Sequence, residues 1–276
     1  MSTNLVRGRR YERRALALAA ALSGAFVAGC ATEPITGRSQ LALLSEEQAN
    51  AMGVQAFAET LKGAKLSSNP DHVRLVEKVG RRIARVTDVR MAAEGRRPYD
   101  WEFKVIDAPD VVNAFALPGG KVAVYTGILP VAATEAGLAV VLGHEIAHAY
   151  AQHGRKRVSE NVIAQFGLSA VEAFLGGDSA SENSKLALAA LGIGYKVGVE
   201  LPFSRADESA ADEIGLMLMA EAGYDPREAV PFWERMAKAG GGGGIEFLST
   251  HPEPGNRAAR IRELLPKALE AYEKAK

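Results

Sequence analysis

The stretch Val140-Val141-Leu142-Gly143-His144-Glu145-Ile146-Ala147-His148 constrains this chain more than any other. Residues 135–152 contain no proline, and Gly137 and Gly143 are their only glycines. Apolar side chains dominate, so the run is read as a buried helix. Residues four apart on a helix lie one above the other, so His144 and His148 aim at one point. Neutral imidazole is a good zinc ligand, and a catalytic zinc takes three protein ligands and keeps one position open. Glu145 lies on the flank of that face. It is placed to act on a water as general base rather than to bind the metal, as in metalloprotease helices of this pattern. The expectation is one zinc ion per chain, held in part by His144 and His148.

The third ligand has to come from elsewhere. His153 lies five residues beyond His148, about 140° further round a continuous helix. It is also one position short of a third-histidine pattern, which wants glycine at 151 and histidine at 154, where this chain has Ala151 and Gly154. His72, beside Pro70 and Asp71, reads as a solvated helix-end residue. The best stretch is Ser204-Arg205-Ala206-Asp207-Glu208-Ser209-Ala210-Ala211-Asp212. Ser204 reads as an N-cap, which starts a helix there. Glu208 and Asp212 then share a face. One can bind zinc while the other accepts the second N–H of a ligand histidine and fixes its tautomer. The competing reading is an acidic first turn that complements the helix dipole, and the stretch by itself does not choose.

The sheet signal is confined to one region. Residues 101–106 alternate in part, and Asn113-Ala114-Phe115-Ala116-Leu117 is separated from a second β-prone run at 121–126 by Pro118-Gly119-Gly120. This reads as a hairpin. It either lies beside the metal and pairs with an extended peptide or merely covers the core. Helical patterns occupy residues 46–62, 71–87, 158–175, 184–191, 225–239 and 256–275, with a charged connector at 90–98.

His144-Glu145-Ile146-Ala147-His148, followed by Glu208-Ser209-Ala210-Ala211-Asp212, resembles the Ste24/HtpX-like family of zinc metalloproteases. The resemblance implies that Glu208 is the third zinc ligand and that Asp212 supports the site from behind, with Arg205 beside the acidic pair. It implies that Asn113, Ala114, Phe115 and Ala116 form a substrate-side strand. It also implies that His251, in Leu248-Ser249-Thr250-His251-Pro252, reaches the active site as a fourth ligand or gate. The segment Thr36-Gly37-Arg38-Ser39-Gln40-Leu41 is similar to one in the periplasmic lipoprotein branch.

The N-terminus reads as a targeting segment. Five arginines lie between positions 7 and 14, and residues 15–29 are largely apolar, short of the about 20 residues that a membrane span needs. The run ends in Val27-Ala28-Gly29-Cys30, which resembles a bacterial lipobox with Cys30, the only cysteine, as the acylated residue. Setting aside residues 1–29, with five arginines and one glutamate, leaves 28 basic against 32 acidic residues. Such a body gives no electrostatic reason to expect nucleic-acid binding.

The expected architecture is α+β and mostly helical, with a small antiparallel β-sheet next to the metal helix. Residues 1–29 are expected to be a leader, 30–44 a lipid-anchored tether and 45–276 a zinc metallopeptidase domain. The expected function is an endopeptidase of the bacterial envelope, on the periplasmic side of the outer membrane, that degrades or processes unfolded or misfolded proteins. The alternative is a chaperone-like or binding lipoprotein with a structural zinc, which four protein ligands would close.

Overall fold

The computed structural model describes residues 30–166, 202–240, 245–252 and 257–276. The expected leader, the helix at 184–191, the end of the one at 158–175 and the glycines at 241–244 lie outside the described residues.

In chain order the elements are β1 (Cys30–Thr32), β2 (Ser39–Leu41), α1 (Glu46–Lys62), α2 (Pro70–Ala93), β3 (Glu102–Ile106), β4 (Ala114–Leu117), β5 (Lys121–Tyr125) and α3 (Leu129–Ala132). Then follow α4 (Glu135–Tyr150), α5 (His153–Phe166), α6 (Arg205–Glu221), α7 (Ala229–Gly240), α8 (Glu246–Thr250) and α9 (Arg257–Ala275). The arrangement is α+β and mostly helical.

The helix α4 is the centre of the core. Thr134 caps it by accepting from the Gly137 amide, and every residue from Gly137 to Tyr150 is buried. A helix apolar all round has to be covered on every side. The covers are α2 with Val76, Val79 and Ile83, α6 with Ile214 and Leu218, and α7 with Phe232 and Trp233. The cap expected at Ser204 is present, its hydroxyl accepting from the Asp207 amide. The helix α2 runs on to Ala93, through part of the expected connector. The extra turn is held by tertiary contacts, since Met91 is buried and Arg90 Nε donates to Glu221 Oε2 at 2.8 Å.

The three-stranded sheet has the order β3-β5-β4. The expected hairpin is antiparallel, with Ala114 opposite Val124 and Leu117 opposite Lys121. The strand β3 joins parallel to β5 on its other side, so this sheet is mixed. Gly119 and Gly120 turn the chain at φ +80° and +78°, a left-handed conformation that glycine adopts without a Cβ penalty.

Residues 30–44 are not a free tether. They form the antiparallel hairpin β1–β2, which docks onto the helical body of the chain. Gln40 Nε2 donates to Ala151 O at 2.8 Å, Arg38 Nη1 to Ala206 O at 2.7 Å, and the Leu43 amide to Ser159 Oγ at 3.0 Å. Ala42 and Leu44 are buried. Polar turn residues here serve long-range hydrogen bonds, which local composition does not reveal.

Candidate metal centre

Four side chains from three elements meet in the interior. The helix α4 presents His144 and His148, the first turn of α6 presents Glu208, and His251 follows directly on α8. His148 Nε2 lies 3.1 Å from His144 Nε2, and His251 Nδ1 lies 3.3 Å from the same atom. Glu208 Oε2 is 3.3 Å from His144 Nε2, and its Oε1 is 3.5 Å from His148 Nε2 and 3.0 Å from His251 Nδ1. A tetrahedral site with zinc–nitrogen bonds of about 2.0–2.1 Å has edges of roughly 3.3–3.4 Å. The donor set therefore fits one zinc ion in chemistry and in spacing.

Burial opposes charge on His144, but the Asp212 and Glu208 carboxylates outweigh it and raise its pKa to about 9. Burial lowers His148 well below the usual imidazole value despite Glu208, and burial also lowers His251. Burial pushes Glu208 up, yet His251 and the two ring partners hold it well below the ordinary carboxylate range. The pocket is built for a carboxylate anion facing a positive centre.

The surrounding residues orient these donors. Asp212 Oδ1 lies 3.0 Å from His144 Nδ1, which directs Nε2 into the site. Arg257, fully buried on α9, reaches Glu208 Oε2 at 2.6 Å and Asp212 Oδ2 at 2.9 Å, with its guanidinium 4.1 Å over the Trp233 ring. Sequence reading missed Arg257. The available signal was its place four residues before the buried Ile261, on the apolar face of α9. Arg205 was expected in that role, but it is exposed on the first turn of α6.

Glu145 is buried, with Oε1 3.5 Å from His251 Nε2. Asn113 is buried and its Oδ1 accepts from the Ala114 amide at 2.9 Å. Ala114, Phe115 and Ala116 lie on β4, which has β5 on one side only within the described sheet. The Phe247 amide of α8 donates to Val112 O at 3.2 Å, so the His251 segment is tied to the chain just ahead of β4. Cys30 opens β1, opposite Leu41.

Paired histidines one helical turn apart, a carboxylate from a second helix and a glutamate beside them define a zinc metallopeptidase. The chain belongs to peptidase family M48, whose family model matches residues 75–265. The mitochondrial metalloendopeptidase OMA1 of Schizosaccharomyces pombe is 42% identical over 188 residues, covering 67% of this chain and 53% of the relative. The mitochondrial metalloendopeptidase OMA1 of Bos taurus is 34% identical over 254 residues, 87% of this chain and 47% of the relative. A beta-barrel assembly-enhancing protease of Escherichia coli is 26% identical over 257 residues, 90% of this chain and 51% of the relative. The chain thus spans about half the length of the curated relatives it matches.

These relatives correct the expected location. The proteins at 33–42% identity bear mitochondrial names, and bacterial matches at 26–28% are more distant, so the periplasmic side of a bacterial outer membrane does not stand. An arginine-rich, acid-poor start followed by a short apolar run occurs in leaders of more than one compartment. The lipobox-like residues were too short a signal to decide between them.

Proposed function

We propose that this chain is the catalytic unit of a zinc-dependent endopeptidase acting on unfolded or misfolded polypeptides. The observation that carries the reading is the convergence of His144, His148 and Glu208 on one point with Glu145 beside it. His144, His148 and Glu208 would hold the metal. When bound, zinc polarises a scissile carbonyl and makes water a better nucleophile near neutral pH. Glu145 takes the proton of the attacking water and hands it to the leaving amine. Burial of Glu145 keeps competing water away from its carboxylate. Residues 113–116 at the sheet edge would align an extended substrate by backbone pairing, a mode open only to unfolded or locally unfolded chains. The mildly acidic body offers no footprint for nucleic acid.

His251 in the donor set makes this arrangement a closed resting state: the imidazole takes the place a substrate or water needs. Opening requires the His251 side chain to leave the donor set, while the Phe247 amide holds the start of its segment to Val112 O. A second reading, a binding protein with a structural zinc, draws on the same fourfold closure. It gives Glu145 no task.

The proposal includes attachment to a membrane through a lipid on Cys30, supported by the Val27-Ala28-Gly29-Cys30 sequence and the apolar run before it. The leader would then be residues 1–29. No helix among the described residues is long and apolar enough to cross a membrane. Cys30→Ser should shift the protein from the membrane to the soluble fraction, and a variant that still resists salt washing would remove the lipid from the account.

Activity is tested by incubating the purified protein with reduced, unfolded casein, with and without zinc and a chelator. Zinc-dependent cleavage at internal bonds is expected. Zinc-loaded protein that leaves the casein intact, together with loss of zinc once His251 is removed, favours the structural reading.

A further inference from the structure

The two histidines of α4 are supported in different ways. His144 has a carboxylate, Asp212, on its second ring nitrogen. The second nitrogen of His148 faces another histidine: His148 Nδ1 lies 2.9 Å from His153 Nδ1. His153 Nε2 lies in turn 2.7 Å from Glu33 Oε1. Thr36 Oγ1 donates to the other oxygen of Glu33. His148, His153 and Glu33 are 1%, 0% and 2% exposed, so water cannot substitute for any of these partners.

We infer that Glu33, on the hairpin that precedes the matched family region, is a positioning residue for His148, acting through His153. This rests on the proposed ligand role of His148. The proton count leaves one arrangement. A ligand Nε2 needs its lone pair, so the hydrogen of His148 sits on Nδ1 and is donated to His153 Nδ1. His153 Nδ1 then carries no hydrogen, so its hydrogen sits on Nε2 and is donated to Glu33. The carboxylate, which only accepts, fixes the direction of the whole series. Without an acceptor at position 33, His153 is free to take the other tautomer and face His148 with an N–H against an N–H. The ring of His148 would then lose its orientation.

Glu33, His153 and Asp207 also form a buried trio with spacing suited to a metal. The Asp207 carboxylate, however, already holds Lys156 Nζ at 2.6 and 2.8 Å, with Arg38 at 3.7 Å. A cation therefore already occupies its inner side. The trio is better explained as the far end of the histidine series. Docking of residues 30–44 and metal affinity are thereby coupled, although this hairpin lies outside the residues that the family model matches.

The test is zinc affinity of the full chain, read by competition with a chromophoric chelator, together with the visible spectrum of the cobalt-substituted protein. Glu33→Ala should weaken zinc binding about 10–100-fold, as loss of a ligand's outer partner does elsewhere, and alter the cobalt bands. Glu33→Gln keeps a carbonyl acceptor and should retain most of the affinity. In a His153→Phe background, Glu33→Ala should cost no further affinity. Should Glu33→Ala fail to fold, Thr36→Val, which removes only the hydroxyl holding Glu33, should show a smaller loss in the same direction. Zinc affinity within about twofold of the parent in Glu33→Ala or, where that variant does not fold, in Thr36→Val would overturn the inference. So would two zinc ions per chain falling to one, which would make the trio a metal site. If His148→Ala leaves zinc binding unchanged, the ligand assignment beneath the inference fails instead.

Discussion

Gly143 and Gly215 meet backbone to backbone where α4 crosses α6. A Cβ on Gly215 would lie 2.7 Å from the carbonyl carbon of Gly143, and one on Gly143 would lie 2.8 Å from the Gly215 oxygen. Gly143 immediately precedes His144, and Gly215 follows Asp212 by three residues. The contact therefore sets the distance between the histidines of one helix and the carboxylates of the other.

Gly215→Ala should push the two helices apart. Overpacking of this kind costs about 1–3 kcal/mol, and separating Glu208 from His144 and His148 should weaken zinc binding as well. Chemical denaturation and chelator competition check the two effects. A variant with unchanged stability and unchanged zinc affinity would show that the crossing does not set the site.

Arg257 pairs with two buried carboxylates at once. Arg257→Met leaves Glu208 and Asp212 facing each other without it, and breaking a buried pair costs about 3–5 kcal/mol. Zinc supplies part of the lost positive charge, so the metal-free protein should suffer most. Melting with and without zinc should show a larger metal-induced rise in Tm than in the parent. Arg257→Lys should not rescue, because an ammonium cannot span both carboxylates and stack on Trp233.

Glu46 gives the fold an acid dependence away from the metal. Burial raises its pKa, but hydrogen bonds and charge from Arg96, with Tyr99, outweigh this and hold it below the usual value. A lowered folded-state pKa contributes stability above the unfolded value near 4.5, and that contribution is lost as pH falls through the folded value. Arg96 also donates to Tyr150 O at 3.0 Å, at the end of α4. Glu46→Gln should cost about 1 kcal/mol at pH 7, and the gap to the parent should close in acid. A gap that widens on acidification would reverse the sign of the argument.

His251→Ala separates the gated enzyme from the structural site. In the gated enzyme it leaves His144, His148 and Glu208 to hold zinc and opens the fourth position. If the closed state is favoured by about 1.4 kcal/mol, basal hydrolysis of unfolded casein should rise ~10-fold. A structural site predicts loss of zinc and of stability, with no hydrolysis gained.

His144, Glu145 and His148 were legible because helix periodicity alone places them. Glu208 and Asp212 were legible only as alternatives, since an acidic first turn has an ordinary explanation; family resemblance had to choose. His153 was set aside by counting degrees around a continuous helix, but α4 ends at Tyr150 and Gln152 takes φ +61°, so the count stops applying before position 153. The break turns His153 back against His148. Glu33 was not legible, and Arg257 only through its place on the apolar face of α9, because a charged residue in sequence reads as solvated until its distant partner is known.

The central claim, that this site hydrolyses peptides with Glu145 as its base, is tested most directly by Glu145→Gln measured for zinc content and casein cleavage in the same preparation. Glu145 is no member of the four-residue donor set, so one zinc per chain should remain. An amide cannot take the proton of water, so hydrolysis should fall by about 10²–10⁴-fold. Cleavage persisting near the parent rate in the zinc-loaded variant would contradict the account.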